Sequence, residues 1–227
     1  MNNVAVITVD GPSGVGKGMV SRWLADTLRW HRLDSGALYR ILALHAQHMQ
    51  IDLDNTDAVA ALAPELDIRF AGDTEDQEKI LLNGQDLTDA VRSEAAGALA
   101  SRIAVAPAVR QALFARQRDF RQPPGLIADG RDMGTVVFPD AELKIFLRAS
   151  AEVRAKRRQK QLSARGQNVK LDNLSAEIRA RDERDRSRQV APLVPATDAH
   201  LIDTSSLIPS QVFERINDLL KARGYSH

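Results

Sequence analysis

Seven residues near the N-terminus, Gly11-Pro12-Ser13-Gly14-Val15-Gly16-Lys17, have the spacing of a loop that binds phosphate groups. The three glycines let the backbone bend so that successive N–H groups converge on an anion. An apolar run at residues 4–9 precedes the loop and a helical pattern follows it, so a helix N-terminus and Lys17 both add positive charge. This order of strand, loop and helix predicts a phosphate-binding loop rather than a glycine-rich surface turn.

The residue after Lys17 departs from the general form of these loops. Most of them have Ser or Thr there, whose hydroxyl contacts a bound magnesium ion. This chain instead has Gly18, followed by Met19. We therefore expect the metal contact to come from water, from substrate phosphates or from another side chain.

Polar residues also follow the second predicted strand, at residues 31–33. Asp34 and Ser35 come directly after it, and Arg40 lies about one helical turn into the next predicted helix. Ligands of parallel α/β sheets bind at the carboxyl ends of the strands, which makes these three residues candidates for a binding site. A helix cap with a surface arginine is the alternative.

The predicted strand at residues 126–128 ends in the same way. Asp129, Arg131 and Asp132 follow its apolar residues. Asp129 stands where an acid that orients magnesium would stand. The alternative is an acid in a turn beside an ion pair.

The most highly charged segment covers residues 179–188. On a helix, Arg181, Asp185 and Arg188 share one face. Several arginines on one face suit the charge that spreads over a phosphoryl group during transfer, whereas a solvated helix with ion pairs is the alternative. A second basic helical face, which we interpret as part of a mobile lid, carries Arg154, Arg157 and Arg158.

The pattern of elements predicts an α/β fold in which helices cover a parallel sheet. Apolar runs predict five strands, at residues 4–9, 31–33, 126–128, 143–147 and 200–202. Helical patterns occur at residues 17–29, 36–49, 106–120, 151–164, 175–189 and 210–223. Residues 66–90 alternate instead and contain Asn83-Gly84, which predicts a small antiparallel insert with a hairpin turn.

Composition excludes several classes of protein. The chain has 227 residues, a formal net charge of +1 and no cysteine, which excludes disulfides, thiolate metal sites and cysteine nucleophiles. His45 and His48 indicate a helix surface rather than a metal site, because no third ligand accompanies them. No signal peptide or membrane-spanning run is evident, so we expect a cytoplasmic protein without a membrane or nucleic-acid partner.

Four stretches resemble bacterial cytidylate kinases, of the nucleoside monophosphate (NMP) kinase superfamily. The first is the loop with its flanks at residues 10–18, and the second is Leu33-Asp34-Ser35-Gly36-Ala37-Leu38-Tyr39-Arg40. The third covers residues 127–139 and the fourth residues 181–186, with Ala191-Pro192-Leu193 continuing the pattern. The second and third stretches are specific to this family, whereas the phosphate-binding loop alone is not.

The resemblance implies a fold and a reaction. ATP would donate its γ-phosphoryl group to CMP or dCMP, with Mg²⁺ accompanying ATP and a monomer as the usual state. The implied P-loop core of five parallel strands covers residues 1–35, 121–150 and 190–227. An NMP-binding lobe would cover residues 36–120, with its insert at about 66–100, and a short helical lid would cover residues 151–168.

The resemblance also implies a role for each residue that matches a family motif. ATP would be bound by Gly11, Pro12, Ser13, Gly14, Val15, Gly16, Lys17, Gly18 and Met19, and by Arg157 and Arg158 of the lid. The CMP phosphate would be held by Ser35, Arg40, Arg131 and Arg188, the cytosine by Ser101, Arg110 and Asp132, and the sugar by Arg181 and Asp185. Asp129 belongs with the substrate-binding residues, and no residue is expected to bind the metal directly. The expected catalytic residues are Lys17, Arg131 and Arg188.

Met19 also departs from this family, which commonly has threonine at that position. Two other functions stay open on the sequence alone, and the missing hydroxyl after Lys17 favours the second of them. The first is a phosphate-loop kinase for another acceptor, such as UMP, dTMP, shikimate or gluconate, although Ser101, Arg110 and Asp132 match cytosine. The second is a nucleotide-binding switch or interaction module, although simple retention of a nucleotide does not need so many arginines.

Overall fold

The computed structural model describes residues 4–71, 79–164 and 166–225. The chain divides into two compact units. The first comprises Met1–Arg32 and Gln122–His227, and the second comprises Leu33–Arg121. Among the described residues, no helix has both the length and the apolar character needed to cross a membrane.

In chain order, the strands are β1 (Val6–Asp10), β2 (His31–Asp34), β3 (Ile68–Ala71), β4 (Lys79–Leu82), β5 (Gln85–Asp86), β6 (Leu126–Gly130), β7 (Leu143–Arg148) and β8 (His200–Asp203). The helices are α1 (Lys17–Leu28), α2 (Ser35–His48), α3 (Thr56–Ala61), α4 (Thr88–Arg92), α5 (Glu94–Ile103), α6 (Pro107–Asp119), α7 (Ala151–Ala164), α8 (Leu171–Ser187) and α9 (Pro209–Lys221). A short 3₁₀ turn forms at Ala63–Glu65 and a π-helical turn at Met133–Val137.

The predicted five-stranded sheet is confirmed, with the order β2-β6-β1-β7-β8. β1 pairs in parallel with β6 and β7, and β7 pairs in parallel with β8. β1 is buried along its whole length because it lies inside the sheet and its residues face the core on both sides. The apolar core of the first unit joins these strands to α1 and α9, where the rings of Trp23 and Phe213 stack at 4.8 Å.

The predicted antiparallel insert is also confirmed, as the three-stranded sheet β3-β4-β5 in the second unit. Asn83 and Gly84 have φ angles of 50° and 81°, as a two-residue hairpin turn requires, and Leu82 faces Gln85 across it. Residues 72–78 of the predicted insert lie outside the described residues. In the rest of this unit, α2 packs against α5 and α3 against α6.

The structure differs from the prediction in several elements. The helices α3, α4 and α5 and the π-helical turn had no predicted counterpart, although Ser93 caps α5 by accepting from Ala96 N. The predicted helix at residues 175–189 begins earlier, at Leu171, and ends at Ser187. Arg188 therefore follows the helix with an extended ψ of 133°, so the predicted helical face of Arg181, Asp185 and Arg188 is wrong at its last member.

Candidate active site

The phosphate-binding loop has the backbone that its glycines predict. Gly11, Gly14 and Gly16 have φ angles of 147°, 78° and 99°, a region that side chains rarely tolerate. A Cβ atom at Gly11 would also lie 2.2 Å from the carbonyl oxygen of Leu147. Lys17 begins α1, is only 8% exposed, and donates from Nζ to the carbonyl of Pro12 at 2.9 Å. The loop therefore brings a buried cation and a helix N-terminus together.

Asp10, directly before the loop, was not among the predicted site residues. Its two carboxylate oxygens accept from Met133 N at 2.9 Å and from Gly134 N at 2.8 Å. Burial raises the pKa of Asp10 to about 7, although these two backbone hydrogen bonds act in the opposite direction. Asp10 thus holds the π-helical turn that follows Arg131 and Asp132. The only sequence signal for this role of Asp10 was its place as an acid at the end of a buried strand.

Asp129, which lies in β6, faces α1. Its Oδ2 accepts from the hydroxyl of Ser21 at 2.7 Å and lies 3.7 Å from the guanidinium of Arg32. Asp129 is 5% exposed and lies within a strand. Asp129 is therefore not an acid in a turn, although the ion pair of that alternative is present, with Arg32. Asp132, nearby in sequence, is also buried, at 4% exposure.

Two of the predicted catalytic arginines meet at one carboxylate. Asp185 Oδ2 accepts from Arg131 Nε at 2.8 Å, and its Oδ1 accepts from Arg188 Nη2. Burial alone would raise the pKa of Asp185, but the charges of Arg131, Arg188 and Arg181 outweigh it and hold this pKa below its ordinary value. The cluster is a buried carboxylate with an excess of positive charge, which suits the binding of a phosphate group.

The three arginines predicted to form a basic face lie on α7, but their side chains have different surroundings. Arg154 is 2% exposed and forms a two-point ion pair with Asp182 of α8. Arg157 donates to both the hydroxyl and the carbonyl of Thr204. Arg158 reaches Gln161 on its own helix at 3.2 Å. The sequence could not distinguish these three side chains, because their partners lie in other elements or depend on the rotamer.

In the second unit, four predicted residues lie on its helices. Ser35 begins α2 and is 4% exposed, and Arg40 of α2 donates to the carbonyl of Val91 at 3.0 Å. Ser101 of α5 is 6% exposed. Arg110 of α6 is 9% exposed, donates to the carbonyl of Ala104 and lies over the ring of Tyr39. The helix cap of the alternative interpretation is present, since Asp34 caps α2 by accepting from Ala37 N at 3.0 Å, but Arg40 is bonded rather than a free surface arginine.

Comparison with known proteins agrees with these motifs. A sequence model of the family described as "Cytidylate kinase" matches residues 7–222. A cytidylate kinase of Pseudomonas fluorescens is 57% identical over 212 residues, which cover 93% of each chain. Cytidylate kinases of Pseudomonas putida and Pectobacterium atrosepticum are each 55% identical. The former match covers 98% of this chain and 99% of the relative, and the latter 92% and 93%. These matches span nearly the whole chain, including the phosphate-binding loop and the segments that carry Arg131 and Arg188. This chain therefore belongs to the cytidylate kinase family.

Proposed function

We propose that this chain transfers the γ-phosphoryl group of ATP to CMP and dCMP, forming ADP with CDP or dCDP. Family membership supports the reaction, and the observation that carries it is the buried cluster of Arg131, Asp185 and Arg188 in the unit that holds the phosphate-binding loop. A protein that only retains a nucleotide does not need this second site of positive charge.

In the proposed reaction, an oxygen of the CMP phosphate forms a bond to the γ-phosphorus as the bond from that phosphorus to the β-phosphate oxygen breaks. No covalent enzyme intermediate is needed, so positioning and charge neutralisation account for catalysis. Lys17 would neutralise the β- and γ-phosphates of ATP. Arg131 and Arg188 would hold the acceptor phosphate and the group in transfer.

A divalent metal is expected with ATP in this family, and we propose Mg²⁺. Among the described residues no group of three or more His, Cys, Asp or Glu side chains could hold a metal ion. In nucleotide sites Mg²⁺ takes one or two carboxylates and is otherwise held by phosphates and water. Asp129, held in place by the hydroxyl of Ser21, would orient the water around the ion. The ion would supply charge neutralisation to the phosphates.

Base selection would follow from the hydrogen-bonding edge of cytosine. Cytosine has an amino donor at N4 and acceptors at N3 and O2. In the first unit, Asp132 would accept from N4. In the second unit, Arg110 would donate to N3 and O2, and Ser101 would add a hydroxyl. Uracil has a carbonyl and an N–H at the matching positions, so it would leave buried charges unpaired and be rejected strongly.

The remaining assignments keep the roles that the resemblance implies. Residues 36–120 would be the NMP-binding lobe, with Ser35 and Arg40 on the CMP phosphate. Residues 151–168 would be the lid, with Arg157 and Arg158 on the ATP side. In the first unit, Arg181 and Asp185 would hold the sugar. We also propose that the protein is a cytoplasmic monomer that binds ATP and CMP but neither nucleic acid nor membrane. Light scattering of the purified chain tests its oligomeric state.

The function is tested by ADP release in a coupled assay with Mg-ATP and CMP, dCMP, UMP, dTMP and AMP in parallel. We expect strong turnover with CMP and dCMP and at least about 100-fold lower kcat/KM with UMP, because one unpaired buried charge costs several kcal/mol. Turnover with a different acceptor would contradict the base assignment. ATP hydrolysis that no acceptor stimulates would favour a nucleotide-binding switch.

Met19→Thr restores the hydroxyl that the family commonly has. Met19 packs against the apolar core of the first unit, and the loop's N–H groups do not depend on its side chain. We expect kcat with ATP and CMP to rise by less than about tenfold, the effect of roughly one hydrogen bond. A rise of several orders of magnitude in steady-state turnover would show that the hydroxyl is essential for full catalysis.

A further inference from the structure

Side chains from distant parts of the first unit hold carbonyl groups of the phosphate-binding loop. The carbonyl oxygen of Ser13 accepts from Arg154 Nη1 at 3.2 Å. The carbonyl oxygen of Val15 accepts from the hydroxyl of Thr204, also at 3.2 Å. The two donors are 141 and 189 residues away from their acceptors in the sequence, so folding of the whole unit is needed to form either contact.

These contacts control the direction in which the loop's amides point. The peptide between Ser13 and Gly14 is trans and planar, so its carbonyl and its N–H point in opposite directions. A donor fixed on the carbonyl side therefore fixes the N–H on the other side. The hydroxyl of Thr204 fixes the peptide between Val15 and Gly16 in the same way. Because a phosphate-binding loop works through the direction of its N–H groups, these contacts pre-organise it.

Arg154 is held firmly enough to act in this way. Besides its ion pair with Asp182, it donates from Nε to the carbonyl of Ala149 at 3.0 Å. It also packs closely on the loop, since a Cβ atom at Gly14 would lie 3.3 Å from Cβ of Arg154. Each of the three guanidinium nitrogens is bonded, and the side chain is 3% exposed. Its rotamer is set by packing rather than by solvent.

Thr204 is hydrogen-bonded to α7, the helix that carries Arg154. It is 2% exposed, and its hydroxyl accepts from Arg157 Nη1 at 3.1 Å while lying between the carbonyls of Val15 and Arg148. α7 thus supplies one loop contact directly, through Arg154, and supports the other through Arg157. α7 is thus connected to the phosphate-binding loop at two peptides, Ser13–Gly14 and Val15–Gly16, which are separated by one peptide.

We propose that Arg154 and Thr204 are positioning residues that pre-organise the phosphate-binding loop for ATP by holding its carbonyls. This inference deepens the proposed kinase function and rests on it for the kinetic part of its test. Neither residue is placed in contact with substrate. Their loss therefore weakens ATP binding, whereas the binding of CMP stays unchanged.

Two replacements test the proposal. Thr204→Val removes the hydroxyl at nearly constant shape. The double replacement Arg154→Met with Asp182→Leu removes the ion pair as a unit, because removing Arg154 alone would leave a buried unpaired charge and destabilise the fold. For each variant we expect the Kd for ATP, from calorimetry without CMP, and the KM for ATP to rise about tenfold. The KM for CMP should stay within about twofold of the wild-type value.

Matched controls make similar changes without touching the loop. Arg179→Gln breaks the exposed ion pair of Arg179 with Glu152, which also joins α8 to α7. Ser205→Ala removes a hydroxyl from the residue that follows Thr204. This hydroxyl accepts from Ser150 N at 3.1 Å. Both controls should leave the Kd and the KM for ATP within about twofold of wild type.

The outcomes separate this inference from the proposed function. If Thr204→Val and the double variant, shown to be folded by thermal melting, keep the wild-type Kd for ATP, the inference is overturned. It is also overturned if the KM values for ATP and CMP rise together, because that result indicates a general structural effect. If the wild type itself makes no ADP with CMP, the proposed function fails, and the Kd for ATP still tests the positioning role.

Discussion

Replacing Arg131 by methionine is expected to lower kcat with ATP and CMP by about 1,000-fold, the range found when an arginine that stabilises phosphoryl transfer is lost. Arg131 is only partly exposed, and its Nε is bonded to Asp185. The side chain is thus held in one place before substrate arrives, so its charge needs little reorganisation during transfer. Methionine keeps most of the apolar stem but removes the charge.

Arg186→Gln is the matched control for that replacement. Arg186 lies on α8 next to Asp185 in sequence, but it is exposed and outside the cluster. We expect its kcat to stay within about twofold of wild type, since single exposed charges contribute little. The measurement is steady-state turnover at saturating ATP and CMP, with thermal melting to confirm the fold. A loss of less than about tenfold for Arg131→Met would contradict the catalytic assignment.

Asp10 is expected to make the free energy of unfolding depend strongly on pH. Because burial raises its folded-state pKa to about 7, folded Asp10 binds a proton between about pH 4 and pH 7 whereas unfolded Asp10 does not. The folded state therefore holds more protons in this window, and the free energy of unfolding falls as pH rises. The full loss across the window is on the order of 4 kcal/mol, for about three pKa units.

Asp10→Asn isolates this contribution, since the amide cannot titrate. We expect the free energy of unfolding of the wild type, minus that of the variant, to fall by about 4 kcal/mol as pH rises from about 4 to about 7. Urea unfolding across this range measures it. A difference that does not change with pH would mean that Asp10 keeps its ordinary pKa in the folded protein.

The sheet and the phosphate-binding loop could be predicted from the sequence because their signals are local. The apolar runs that form β1, β6 and β7 are contiguous, and the glycines at positions 11, 14 and 16 mark backbone bends that other residues rarely adopt. Asn83-Gly84 predicted its turn for the same reason. The carboxyl ends of β2 and β6 carry the polar residues that the parallel sheet led us to expect there.

The contacts of the long charged side chains could not be predicted in the same way. Periodicity placed Arg188 on a helical face, but the helix ends at Ser187. The side chain of Arg188 contacts Asp185 from the extended segment that follows. Arg154 looked like its neighbours in α7, yet it is buried because Asp182 and the Ser13 carbonyl lie beside it in the folded unit. A long flexible side chain takes its partner from tertiary packing, which spacing along one helix does not record.

The most direct test of the central claim follows the label from ATP carrying a radioactive γ-phosphate, incubated with the chain, Mg²⁺ and CMP. The account predicts that the label appears in CDP, that its transfer needs CMP, and that little is released as inorganic phosphate. Release of the label as inorganic phosphate at the same rate with and without CMP would contradict it. That result would identify a nucleotide hydrolase or switch built on the cytidylate kinase fold rather than a kinase.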